Sequence, residues 1–576
     1  MFSKVLKTYW KADDASRRYF VRSKGEIRLG KTEFKAQGGE GSVYVKGSNA
    51  YKIYTDPSRC ITQAKIDELS VLVQSNILRP LELIVDGRNQ PVGYSMRAAG
   101  KTWSLCQLFP RAFRQRNHIT LDLMLRLVRQ LQTGVSHIHS RGILIVDLNE
   151  MNFLVASDLS ELYFVDVDNY QTPSFPATGI METIRDRHAK TFSTDSDWFS
   201  FALVSFQMFV GIHPFKGTHP AFQNNAAKLD ARMRANVSVL HPGVTVPAAC
   251  LPFSVIPPNY LDWYRAVFEQ GRRLPPPQTV QAVLSLVGPR VAQTIASRRF
   301  DVQEFREFDS DIVWHDGVIT VTERSVYFNG QRYARPPFDV KLIVTPRRKH
   351  LIATYHDGTR LRFHDLTTDR LIDTHIEGED VMLSHGQLYI KQHEHILAID
   401  FIEPPNNMLL GLRPVANVMM NSTRVFEGVA IQNLLGANYG SIPSLNGGCH
   451  QVRLAELDGA QIVDAKLYRN VLVVVVTTAG RYEKHVFRFA KDFSTYDVRK
   501  LTDVATSDIE FTVLDTGVAL HLIDDNKLEM FASARDSAHL SVLEDDALKD
   551  DLKLFHTGKQ ALMAKGRKLY KFKLVP

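Results

Sequence analysis

The hydrophobic period of this chain changes once along its length, and that change limits what it can fold into. From about Asp311 to the end, apolar and polar residues alternate with the two-residue period of half-buried strands. Ile312–Gly330, His350–Leu366, Gln387–Asp400, Asn470–Ala490, Gly517–Ala532 and Gln560–Leu574 share one shape. Each is a short strand, a turn bearing Gly, Asp or Asn, and a second strand. These hairpins recur at very roughly forty residues, a spacing typical of propeller blades. The expectation is an all-β domain over 310–576, best accommodated as a six- or seven-bladed β-propeller, because closure removes the open edges that so many strands would leave. Two β-sandwiches are the alternative. His315–Asp316–Gly317, His356–Asp357–Gly358 and His385–Gly386 read as hairpin-turn chemistry rather than a metal surface.

Before about residue 285 helical and strand patterns alternate, as in the helical Ile119–Ser140 and the apolar Trp198–Phe209. The boundaries expected are an extension over 1–29, a mixed domain over 30–285, and a charged linker over 286–309. Composition is that of a soluble globular chain, 44% hydrophobic and 23% charged, which excludes disordered and fibrous classes. The four cysteines, Cys60, Cys106, Cys250 and Cys449, form no CxxC pair. Neither a disulfide framework nor a structural zinc site is expected, which fits a reducing cytoplasm. No apolar run is long enough for an easy membrane span. A net charge of +8 spread over 576 residues permits a polyanionic partner without requiring one. Arg347–Arg348–Lys349 lacks the interleaved aromatics of a nucleic-acid surface, so nucleic acid is not the expected partner.

The first half carries the chemistry. Gly38, Gly39 and Gly41 sit between two β-type runs, where backbone amides can approach phosphate oxygens with no Cβ in the way. A tight hairpin is the plainer reading of the same glycines. Val43 follows, then Lys52 inside the apolar strand Ala50–Tyr54, where an ammonium needs a partner such as phosphate. A helix is expected over Ile61–Gln74, with Glu68 on the face of Ile61, Ala64 and Leu72 as a carboxylate for Lys52; Asp67 competes for that role. An apolar run over Ile143–Val146 delivers Asp147, with Asn152 five residues later. A carboxylate there can orient a hydroxyl and accept its proton, and an amide oxygen can ligate a metal. The strand Leu162–Val165 ends at Asp166, with Asp168 two residues on, acids of the kind that hold Mg²⁺ beside phosphates.

In order and spacing this set resembles the eukaryotic-type protein kinase family. The matching segments are the glycine turn Gly38–Val43, Lys52, Glu68, Asp147–Asn152, Asp166–Asp168 and the segment Asp197–Ala202, with a Gly211–Phe215 turn and Arg272–Pro277 placed like late family motifs. More narrowly, GGEGSVY, Gly93–Met96 and VDLNEMNFLV resemble a group of divergent bacterial kinase-like proteins. The resemblance covers about residues 30–285. It implies an α+β bilobal kinase-like fold, ATP and Mg²⁺ as cofactors, and phosphoryl transfer to a protein Ser/Thr hydroxyl. By the same resemblance Lys52 would hold the α/β-phosphates with Glu68 fixing it. Asp166 and Asn152 would hold Mg²⁺, Asp147 would orient the acceptor, and Met96 would lead to the hinge that binds adenine. The β domain would recruit a protein substrate or partner. A nucleotide-binding scaffold without catalysis is the rival reading, and a small-molecule kinase a third.

The chain departs from the family at several places. Ala36 replaces the first glycine of the loop, Ile145–Val146 replace the His-Arg before the catalytic Asp, and Asp168 replaces the glycine of D-F-G. Met181–Glu182–Thr183 is only a weak stand-in for A-P-E. Activation-loop phosphorylation is therefore not the expected regulation, and a typical peptide groove is not expected.

Overall fold

The computed structural model describes residues 17–222, 228–278 and 300–574, apart from short stretches at 337–339, 405–406, 445, 515, 525–526, 533–539, 544–551 and 558–559. The N-terminal part opens with a seven-stranded antiparallel sheet. Its spatial order is Gly25–Leu29, Arg17–Val21, Glu82–Val85, Pro91–Arg97, Asn49–Tyr54, Gly41–Lys46 and Phe34–Gln37. Residues 17–21 and 25–29 are thus strands of the same sheet, so the expected boundary at residue 30 falls inside it. Two glycines allow the strands to approach. A Cβ on Gly93 would lie 2.0 Å from the Lys52 carbonyl oxygen, and one on Gly41 would lie 2.3 Å from that of Ile53.

The helices follow. Leu121–Ser140 begins at Thr120, whose hydroxyl accepts the Leu123 N–H, and buries Met124, Leu127, Val128, Leu131, Val135 and Ile138 along one stripe. Thr194–Val210 is buried on all sides from Ser196 onward, which is why its sequence reads as almost continuously apolar. It ends at Gly211, whose φ of 86° is the left-handed stop that glycine supplies without strain. A three-stranded sheet of Thr102–Ser104, Phe153–Ala156 and Leu162–Phe164 lies beside these helices. No helix among the described residues is long and apolar enough to cross a membrane.

The C-terminal region is all β, as its period indicates. Its described strands form seven four-stranded antiparallel sheets, six of them built from four consecutive strands. The remaining sheet joins Phe300–Glu307 to the last three strands, Leu552–Thr557, Gln560–Lys565 and Lys568–Leu574. Residues 286–299 of the expected linker lie outside the described residues, and from Phe300 that segment is strand. The valine run Val471–Val476 is buried on both faces of its sheet.

The two regions share an apolar cluster. Leu127, Phe206 and Tyr264 belong to the same cluster as Val471, Val486, Phe511 and Phe531. Polar links, two of them buried, reinforce it. The Tyr482 hydroxyl donates to Glu150 Oε1 (2.9 Å), Lys216 Nζ donates to the Val504 carbonyl (2.8 Å), and the Ala112 N–H donates to Asp508 (3.1 Å).

Candidate functional site

Lys52 sits in mid-strand with only 6% of its side chain exposed, so its charge must be compensated locally. Its ammonium lies 2.8 Å from Asp168 Oδ2, 3.2 Å from Asp166 Oδ1 and 3.2 Å from Glu40 Oε2. Asp168 is the anchor. It is buried and also accepts the hydroxyls of Tyr54 and Tyr94, each at 2.7 Å. Burial opposes its charge, but the Lys52 ammonium and these donors hold its carboxyl below the usual range. Asp166 is pushed the other way, by burial and by the charge of Asp168, against the pull of Lys52. Lys52 is desolvated too, yet its three carboxylates raise it well above the ordinary lysine value. It therefore stays charged.

Glu68 is not brought to Lys52. Its Oε2 accepts the Ser174 N–H at 3.2 Å near the surface. Capped by Thr62, the helix runs only Gln63–Leu69, and its buried positions are Lys65, Ile66 and Leu69. That phase turns Glu68 off the lysine side, and Asp168 and Glu40 occupy the place expected of it.

The loop after Ile143 is held under strain. Val146, β-branched, has φ 64°, and Asp166 has φ 56°. Asp197, fully buried, compensates for the first. Its carboxylate accepts the N–H groups of Ile145 (2.8 Å) and Val146 (2.9 Å) and lies 2.9 Å from His139 Nε2. Asp147 emerges from this loop half-buried, with Asn152 Nδ2 donating to its carbonyl at 2.9 Å. The Met181 N–H donates to Asp147 Oδ1 at 2.8 Å. Met181 and Thr183 are in turn close to Gly480 in a hairpin of the β region, where a Cβ would meet the Met181 sulfur at 2.2 Å.

Gly38, Val43, Lys52, Met96, Asn152 and Asp166 line one cavity of about 1410 Å³. Gly39, Gly41, Asp147 and Glu68 are not among its lining residues. The Gly38 N–H donates to the Gly41 carbonyl at 2.9 Å, so the tight-hairpin reading of the glycines holds locally. Cβ atoms on Gly38 and Gly39 would meet nothing within 4 Å, which leaves room for a ligand. The donors also suit a hard cation. Asn152 spends its NH₂ on Asp147, and its Oδ1 accepts no hydrogen bond among the described residues, while Asp166 takes Lys52 through Oδ1 alone. Sequence reasoning missed Glu40, Tyr54 and Tyr94; the one available signal was an acid, Asp168, where the family has glycine.

Arg273 reaches back to Asp186, with Nε at 2.5 Å and Nη2 at 2.6 Å from its carboxylate. This fastens the end of the segment that follows Met181. Next to it, His213 is buried and neutral: the Phe215 N–H donates to its Nδ1 (3.2 Å), so its Nε2–H donates to the Thr183 carbonyl (3.0 Å). Burial and then the charges of Lys216, Arg232 and Arg187 push it down to about 3. A depressed histidine contributes stability that is present above about pH 6.5 and is lost as pH falls toward 3. Unfolding midpoints measured from pH 7 to pH 4 should therefore fall, and His213→Asn should reduce the slope by about one proton. A variant slope equal to that of wild type would contradict this.

No family model matches the chain. Among characterised proteins it is similar to Protein kinase YegI of Escherichia coli O157:H7 and of Escherichia coli strain K12. Each is 22% identical over 263 residues, covering 41% of this chain and 40% of the relative. The chain thus spans about two fifths of the length of the curated relatives it matches. The relationship is distant and kinase-like.

Proposed function

We propose that the chain transfers the γ-phosphoryl group of ATP to a Ser/Thr hydroxyl of a protein, using the cleft between the seven-stranded sheet and the strained loop. The observation that carries this reading is Lys52, Asp166 and Asn152 lining one cavity, with Asp147 on the adjoining loop. In this reading Lys52 holds the phosphates, the glycine turn offers its amides, Met96 leads to the adenine contact, and Asp147 orients the acceptor and takes its proton. Asp166 and Asn152 would hold Mg²⁺, which neutralises charge on the phosphates. Asp168 fixes Lys52. Because transfer of this kind depends on positioning and charge neutralisation, a lysine and a loop locked in place are what it needs.

The β region is read as a seven-bladed propeller. Six separate four-stranded meanders support this, as does the seventh sheet, which pairs strand Phe300–Glu307 with the last three strands, a closure that would remove the open edges. It would recruit the protein acceptor or a partner. The rival reading, a nucleotide-binding scaffold, has one observation in its favour: the Met181 N–H already occupies Asp147 Oδ1.

The test is mass spectrometry of phosphosites after incubating the chain and its co-purifying proteins with Mg²⁺-ATP. New phosphoserine or phosphothreonine should appear with wild type and vanish with Asp166→Ala. Identical phosphosites with both would remove the enzymatic reading.

A further inference from the structure

The cavity that holds the nucleotide-cleft residues is walled on its other side by the β region. Glu379, Asp380, Lys391, Arg424 and Lys466 line it together with Lys35 and Lys52. Among its lining residues Lys and Arg outnumber Asp and Glu by eleven to six. At one corner of it Lys35, on strand Phe34–Gln37, feels the charges of Arg424, Lys391, Asp380 and Glu379.

Three carboxylates serve that corner, Glu379, Asp380 and, beside Arg424, Asp464, and each already has a cation, Asp464 pairing with Arg116 at 3.0 Å. Glu379 pairs with Lys391 and Asp380 with Lys101 (2.8 Å). Arg424 donates to the carbonyls of Ile462 and Val463, which are neutral acceptors. Lys35 has no hydrogen-bond or ion-pair partner among the described residues. It opens onto the cavity rather than packing against protein. Enclosure by the walls, then the charges of Arg424 and Lys391, hold its amine below the ordinary lysine value, and Asp380 and Glu379 do not offset this. Like charges gathered in an enclosed space are unfavourable unless an anion joins them.

We propose that Lys35, Arg424 and Lys391 form an anion subsite contiguous with the nucleotide cleft, taking a phosphate or similarly compact anionic group. Lys101 and Asp380 place this corner next to the segment that follows Met96, whereas Lys52 belongs with Asp166. The anion is therefore distinct from a triphosphate held by Lys52. It is carried either on another position of the bound nucleotide or by a separate small molecule. The subsite deepens the kinase-like reading but does not depend on phosphoryl transfer.

Calorimetric titration of the full chain separates the two sources. The probes are ATP and AMP, and as added anions adenosine 3′,5′-bisphosphate and inorganic pyrophosphate. Lys35→Gln removes a side chain with no bonding partner among the described residues, so the fold should persist, and Lys35→Arg should retain binding. For at least one of the two added anions, Lys35→Gln should weaken binding about tenfold while AMP binding is unchanged. Dependence on Lys35 for the bisphosphate alone assigns the anion to the nucleotide; dependence for pyrophosphate alone assigns it to a separate ligand. Should neither AMP nor ATP bind while pyrophosphate still requires Lys35, the cleft reading fails and the subsite stands. Unchanged affinity of Lys35→Gln for both anions would overturn the subsite.

Discussion

Asp168→Ala will weaken ATP binding at least tenfold and destabilise the N-terminal region by about 3 kcal/mol, whereas Glu68→Ala will behave like wild type. The stability figure follows from burial: removing one partner of a buried ion pair leaves a desolvated charge and costs about 3–5 kcal/mol. Glu40 and Asp166, each 3.2 Å from Lys52, keep the loss at the lower end. The substitution also strands the Tyr54 and Tyr94 hydroxyls, whose acceptor is Asp168. Lys52 would then swing toward its remaining carboxylates and away from phosphate. Glu68 serves the turn around Thr172 and Ser174 near the surface rather than Lys52, and substitutions of that kind stay within about 0.5 kcal/mol. Urea unfolding and calorimetric ATP titration of both variants check this. Equal losses in Glu68→Ala and Asp168→Ala would mean that the helix carboxylate does position the lysine.

The second large effect is expected at Asp197. Asp197→Ala removes the acceptor of two buried backbone donors, those of Ile145 and Val146, each worth about 1–3 kcal/mol when left unpaired. It also frees Val146 from a φ of 64°, a conformation that costs about 1–3 kcal/mol and persists only where its surroundings impose it. The loop should relax and carry Asp147 with it. Misplacement of a reacting group by about 1 Å can cost on the order of 100-fold. Transfer should therefore fall by about that factor, while ATP affinity changes less than threefold because Lys52 and the glycine turn are untouched. Steady-state rates and ATP titration of Asp197→Ala measure the split. A parallel loss of both would show that Asp197 supports the whole cleft rather than the loop.

What could be read from residues alone follows a physical line. A two-residue period is a local property, so the β region was visible from Asp311 onward, and its hairpins correspond to neighbouring strands of single sheets. Lys52 stood out because it occupies an apolar strand, and Asp166 because it follows one, where a polar group needs a reason; Asp147 and Asn152 lie on the irregular loop before strand Phe153–Ala156. The lysine's partner was not. Any carboxylate could serve, and the choice of Glu68 assumed a helix phase that the Thr62 cap and the burial of Ile66 and Leu69 exclude. Strands Arg17–Val21 and Gly25–Leu29 were missed because their charge hides a short alternation. The cavity wall shared by Lys35 and Arg424 joins residues far apart in sequence, and no periodicity reports such a contact.

The central claim is that Asp147 serves the acceptor while Lys52 and Asp166 serve the nucleotide. Single-turnover transfer from γ-labelled ATP, measured beside ATP affinity for wild type and Asp147→Asn, tests it most directly. General-base positioning is worth about 10²–10⁴-fold. Asp147→Asn should therefore lose at least 100-fold in transfer at unchanged ATP affinity; equal transfer by the two proteins would contradict the account.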